Sequence, residues 1–249
     1  MKYQDVFLRY SAGFLTGNED FDRNIELKRA HTLRVVAYAR KIAESVELAG
    51  NLYDSALYAA LLHDYGRFEQ LKQYNTFKDT DSVNHGEFGA KLLTEHQFLA
   101  DLPAEQATNI ISAVRWHNAK ILPSTLSGDA LLLTKITRDA DKLDIIQLVL
   151  SYHVNHLDNP TVTLGLSLER RLSAKVVAAI AAGGNPAYGD LETVYDFAMA
   201  KLSWYYDLNF PWSRAEYLRR GYADRIHEFV SGIQEAEQLF NDFQQKIKK

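Results

Sequence analysis

No cysteine occurs among the 249 residues. That absence excludes disulfides, thiolate catalysis and zinc–cysteine sites, and leaves His, Asp, Glu and water to hold any metal. Long apolar runs are missing too. Nothing approaches the roughly 18 consecutive apolar residues of a membrane span, and MKYQDVFLRYSAGF at the start lacks the apolar core of a secretory leader. A cytoplasmic protein without a membrane partner is the default expectation. Excess positive charge is also lacking: the net charge is -4, so no nucleic-acid partner is expected, although one local cationic pocket would suffice for a small phosphorylated ligand. Proline is scarce and no low-complexity tract or internal repeat stands out.

What is present is helical patterning with 47% hydrophobic residues, enough to bury a sizeable core. Between 22 and 49, Leu27, His31, Val35, Tyr38 and Ile42 share one face. NLYDSALYAALLHD repeats the pattern through Leu52, Ala56, Ala59 and His63. Asn84 with Glu87 three residues on predicts a capped helix over 84–97, and Pro103 opens the next, which runs to about His117. ILPSTLSGD reads as a loop. A long helix from about 130 to 157 follows, striped by Leu133, Thr137, Asp141, Ile145 and Leu148. DNPTVTLG and AAGGNPAYGD are breaks, with PTVTLGL the one candidate extended piece, and further helices finish the chain. The expectation is an all-α protein forming one domain.

The polar residues on those apolar stripes carry the chemistry. His31, His63 and His117 each interrupt one, His85 starts its helix beside Gly86 and Gly89, and Asp141 lies on a fourth stripe. A single inward histidine is ordinarily a hydrogen-bonded core residue. Three helices each turning an imidazole inward, with two aspartates, make a metal centre the better explanation, because a buried carboxylate is costly without a partner. Imidazole and carboxylate together suit iron, manganese or zinc.

His31, the doublet His63-Asp64 and Asp141 within RDADKLD resemble the H…HD…D signature of the HD superfamily, an all-α group of metal-dependent phosphohydrolases. The dipeptide alone is weak; the ordered set, with HDYGRF and DADKLD around it, is specific. His85 and His117 match the two intervening histidines of dinuclear members. The signature spans 31–144, and LSWYYDLNF (202–210) is similar to a segment of bacterial HD proteins. The resemblance implies an HD-domain helical bundle with additional C-terminal helices: one domain over 1–249, its metal-binding core about 22–158 and a helical extension about 159–249. It implies one ion held by His31, His63, Asp64 and Asp141, and a second by Asp64, His85 and His117. If only one ion binds, His85 and His117 would support it or touch substrate. Mn, Fe, Zn, Ni and Co are the candidate ions, with Mg a further one.

The implied activity is hydrolysis of a phosphoester or phosphoanhydride in a small phosphorylated molecule, a nucleotide first among them, through a metal-bound hydroxide. Two alternatives stand beside it: a di-iron oxygenase using the same ligands, and a sensing module whose metal only supports the fold. Asp64, Arg67 and Lys142 are the candidate catalytic residues. Arg34, one turn after His31, joins Arg67 and Asp207 as candidate substrate contacts; each of the three cations could equally be a solvated surface group, Lys142 most of all. Asp144 shares a face with Asp141 and is a candidate hydrogen-bond partner for a ligand histidine, whereas Asp139 is assigned to the surface. His153 and His156 are better explained as helix-end capping than as ligands. Trp204, Tyr205, Tyr206, Phe210 and Trp212 read as core packing before a base-stacking wall. IHEFVSGIQEAEQLFNDFQQKIKK reads as one amphipathic final helix, packed on the core or forming a homodimer.

Overall fold

A computed structural model of the chain describes residues 3–155 and 165–248, the side chains of 152–155 excepted. The described residues are helical with no β-strand, as the patterning predicts; one isolated parallel bridge joins Ser167 and Thr193. The chain divides into two compact units, Met1–Asp144 and Ile145–Lys249.

The first unit contains α1 (Gln4–Ala12), α2 (Glu19–Ser45), α3 (Gly50–Leu62), α4 (Tyr65–Tyr74), α5 (His85–Glu95), α6 (Ala104–Trp116) and most of α7 (Gly128–Asn155). Asn18 caps α2 by accepting from the Phe21 amide at 3.0 Å, and Asn84 caps α5 by accepting from the Glu87 amide at 3.0 Å. Packing runs in a chain: α2 on α3, α3 on α6, α6 on α5, and α5 on α4. From Ser55 to Leu62 every residue of α3 is buried, so α3 is the central helix of this unit. The C-terminal ends of α3 and α6, two helices in contact, are where His63 and His117 sit.

Gly66 is the joint between α4 and α5. It lies in the first turn of α4, and a Cβ there would stand 2.7 Å from both the Gly89 amide nitrogen and the His85 carbonyl oxygen. Glycine is required for close backbone approach.

α7 corrects one expectation. From Ile136 to Ala140 and from Lys142 to Asp144 every residue is buried, Asp139 and Lys142 among them. Neither is a solvated surface group: a helix covered on more than one side leaves no water-facing stripe for them.

The second unit holds the end of α7, then α8 (Ala174–Ala181), α9 (Val194–Ser203), α10 (Pro211–Arg219), α11 (Tyr222–Val230) and α12 (Gln234–Ile247), with a 3-10 turn over Trp204–Asp207. Asp196 anchors the start of α9, accepting from the Ser173, Glu192 and Thr193 amides and closing a reciprocal capping box with Thr193. Tyr205 meets Tyr217 and Phe243 at ring distances of 5.4 and 5.3 Å, so this end of the aromatic cluster packs into the unit's core. The expected single final helix is two, because Gly232 at φ 80° ends the first. His156 and the side chain of His153 lie outside the described residues, as does most of PTVTLGL.

Candidate metal centre

Six side chains from five stretches of the first unit converge. His31 comes from the middle of α2, His63 ends α3, Asp64 precedes α4, His85 opens α5, His117 ends α6 and Asp141 lies in α7. The four histidines and Asp64 are buried, and the Asp141 side chain is 16% exposed.

The imidazoles meet in two pairs. His31 Nε2 stands 3.2 Å from His63 Nε2, and His85 Nε2 stands 3.0 Å from His117 Nε2; each pair is separated by 32 residues. The opposite ring nitrogens fix the tautomers. His63 and His117 present Nδ1 to the carbonyl oxygens of Ala60 (2.8 Å) and Val114 (2.7 Å), which can only accept. His31 and His85 present Nδ1 to Asp144 Oδ2 and Asp79 Oδ2, both at 2.7 Å. All four Nδ1 atoms therefore donate, and in the neutral rings all four Nε2 atoms carry lone pairs aimed at one another. Facing lone pairs require a cation or a proton between them. Two nitrogens each about 2.1 Å from one ion, at roughly a right angle, lie about 3.0 Å apart, so both pairs fit a metal.

Asp64 joins the pairs. Its Oδ2 is 3.5 Å from both His31 Nε2 and His63 Nε2, while Oδ1 is 3.6 Å from His85 Nε2. Asp141 Oδ1 lies 3.1 Å from His31 Nε2 and 3.6 Å from His63 Nε2. Donor atoms of His31, His63 and Asp141, and again of His63, Asp64 and His117, fall within 4.8 Å of one another.

Charge explains how these groups coexist. Burial alone would raise the Asp64 carboxyl, but Lys28 first, then His63, Arg67 and His85, hold it well below its ordinary 3.8. Asp141 is likewise held well down, burial being outweighed by its bonds to His31 and His63. His31 is raised: burial opposes the proton, yet Asp141 and Asp144 win. His85 is lowered by burial and by Arg67, and His117 falls further through burial and its His85 and His63 neighbours. The His85–His117 pair thus stays neutral, its nitrogens available to a metal.

Each pair has the same support. Arg34 grips Asp144 bidentately at 2.7 and 2.9 Å, and Asp144 holds His31. Arg67 Nη1 grips Asp79 at 2.7 Å, and Asp79 holds His85. Such partners orient the imidazole and raise its basicity.

A family model for the HD domain matches residues 29–146. This segment is an HD domain. No curated protein and no solved structure matches the chain. HD domains belong to a metal-dependent phosphohydrolase superfamily and bind divalent metals. No helix among the described residues is long and apolar enough to cross a membrane.

All six residues assigned as ligands therefore lie together in the HD domain, with Arg67 Nε 3.5 Å from Asp64 Oδ1 and Asp144 on His31 as expected. Arg34 is engaged with Asp144, behind His31. Lys142 is buried, and Asp207 lies in the second unit. Three residues escaped the sequence reading. Lys28 Nζ bonds Asp64 Oδ2 at 2.7 Å; its position three residues before His31, hence on the same helix face, was the available signal. Asp79 lies in a segment without periodicity, and Asn118, which donates to Asp79 Oδ2 at 3.3 Å, gave none either.

Proposed function

We propose that this HD domain is a divalent-metal phosphohydrolase acting on a small phosphorylated molecule, with nucleotides the first class to test. The observation that carries the reading is Asp64: its two oxygens face two separate imidazole pairs, each pair oriented by a carboxylate or a backbone carbonyl. His31, His63, Asp64 and Asp141 would hold one ion, and Asp64, His85 and His117 a second. Such ions acidify coordinated water and polarise a phosphoryl oxygen. Manganese, iron, zinc, nickel and cobalt all suit this nitrogen and oxygen set.

The chain's own residues do the rest. Asp144 and Asp79 fix the rings of His31 and His85, and Arg34 and Arg67 fix those carboxylates. Burial of the ligand histidines and Asp64 limits bulk water to the edges of the cluster, at Asp141 and Lys28 among them, where a substrate phosphate would have access. Lys28 and Arg67 place positive charge beside Asp64, where the phosphate's negative charge is met.

The test is metal analysis joined to a nucleotide panel. Protein purified without chelator, or reconstituted with Mn, Fe or Zn, should carry stoichiometric metal that His63→Ala loses, and should release phosphate when loaded. Absence of stoichiometric metal in every preparation would sink the reading. Four imidazoles around a shared carboxylate also suit iron, so O₂ uptake by an iron-loaded sample without phosphate release would replace hydrolysis by oxygenation.

A further inference from the structure

We propose that Lys28 is a displaceable counter-ion of the metal centre, which occupies Asp64 until an ion binds and then faces an anionic substrate. The inference rests on the metal-centre reading and extends it to a residue outside the ligand set. Lys28 Nζ lies 2.7 Å from Asp64 Oδ2, the oxygen directed at the His31–His63 pair, so the ammonium stands where the carboxylate would meet the first ion. An ammonium and a divalent ion cannot share one oxygen closely, because like charges repel strongly in a buried, low-dielectric pocket.

The two cations beside Asp64 differ in freedom. Arg67 Nη1 is tied to Gln70 Oε1 (2.7 Å), the Phe77 carbonyl (2.5 Å) and Asp79 Oδ1 (2.7 Å), which fixes the guanidinium. Among the described residues Asp64 is the one carboxylate paired with Lys28, which sits at the end of a flexible four-carbon stem and is 15% exposed. The ring of Phe77, already 5.3 Å from Nζ while it bonds Asp64, can hold the ammonium when Asp64 lets go. Released from Asp64, the ammonium reaches that ring and the solvent without leaving the edge of the site. In that position it can pair with a phosphate oxygen. Lys28 therefore competes with metal when the site is empty and supports the anion when it is loaded.

Competition and support give opposite signs, which makes them testable without turnover. Chelator-stripped wild type, Lys28→Met, Lys28→Gln and Lys28→Arg would be titrated with Mn²⁺ by calorimetry, their folding checked by circular dichroism. Loaded samples would then be titrated with inorganic phosphate. Losing one charge-assisted hydrogen bond to Asp64 should tighten the first Mn²⁺ site about tenfold in Lys28→Met and Lys28→Gln, lower the melting temperature of the stripped protein, and weaken phosphate binding about tenfold. Lys28→Arg should stay close to wild type in both titrations. Wild type that binds Mn²⁺ while the neutral variants bind it no tighter overturns the Lys28 role alone, as does unchanged phosphate affinity. Wild type that binds neither Mn²⁺ nor, in the same titration, Fe²⁺ or Zn²⁺ overturns the metal centre and the Lys28 role together.

Discussion

At the level of single residues, the centre depends on carboxylates behind the ligands as much as on the ligands. Asp79 donates no atom to the cluster of ring nitrogens, yet it holds His85 Nδ1, and Arg67, Gln70 and Asn118 all converge on it. Its own carboxyl is pulled far below the ordinary 3.8, burial being outweighed first by His85 and then by Arg67. Asp79→Ala should weaken binding of a second ion about 10–100-fold, the usual cost of losing such support, while the ion at His31, His63 and Asp141 stays bound. Metal titration with stoichiometry separates the two; equal loss at both would show that the imidazole pairs are not independent. Ligands could be found in the sequence because an imidazole or carboxylate breaking an apolar stripe demands explanation. Asp79 could not, since a loop residue interrupts no pattern and its role depends on where α4 and α6 bring Arg67 and Asn118.

Among the elements, the approach of α4 to α5 is the tightest tolerance. Alanine is the better helix former, so Gly66→Ala would be expected on propensity alone to stabilise α4 by about 0.5–1 kcal/mol. Here the added Cβ would meet backbone atoms of Gly89 and His85 at 2.7 Å, and overpacking against backbone costs about 1–3 kcal/mol. The sum should be a lower melting temperature and a displaced start of α5, which carries His85 away from Asp64. Calorimetric melting checks it: a rise would mean α4 and α5 separate without loss. Helix positions were readable because periodicity and caps are local. Burial of Asp139 and Lys142 was not, because the covering of α7 on further sides is a tertiary fact. The break at Gly232 was concealed by amphipathic patterns on both of its sides.

For the molecule as a whole, proton and metal binding should be linked to stability. In the metal-free protein His85 and His117 have folded values below the ordinary 6.5, so the unfolded chain takes up protons that the fold refuses. Their contribution is present above 6.5 and erodes as pH falls from there toward their depressed values. His31, raised, works the other way: its contribution is full below 6.5 and is lost as pH rises through its folded value. Because His117 is the one of the three held well away from its ordinary value, the chelated protein should melt lower at pH 5.5 than at pH 7. An ion at about 100 times its dissociation constant should add roughly 2.7 kcal/mol at neutral pH and less in acid, because ions need neutral imidazoles. Melting curves with and without Mn²⁺ at both pH values check this; an increment independent of pH would argue against imidazole ligation. The spread of the ligands along the chain has a consequence for synthesis. Asp64, His85 and His117 have all been made once synthesis reaches position 117, whereas the set of His31 and His63 waits for Asp141. A chain growing from its N-terminus therefore completes the poorer donor set first, and an ion captured early meets five of the six ligands before the Asp141 carboxylate of α7 exists.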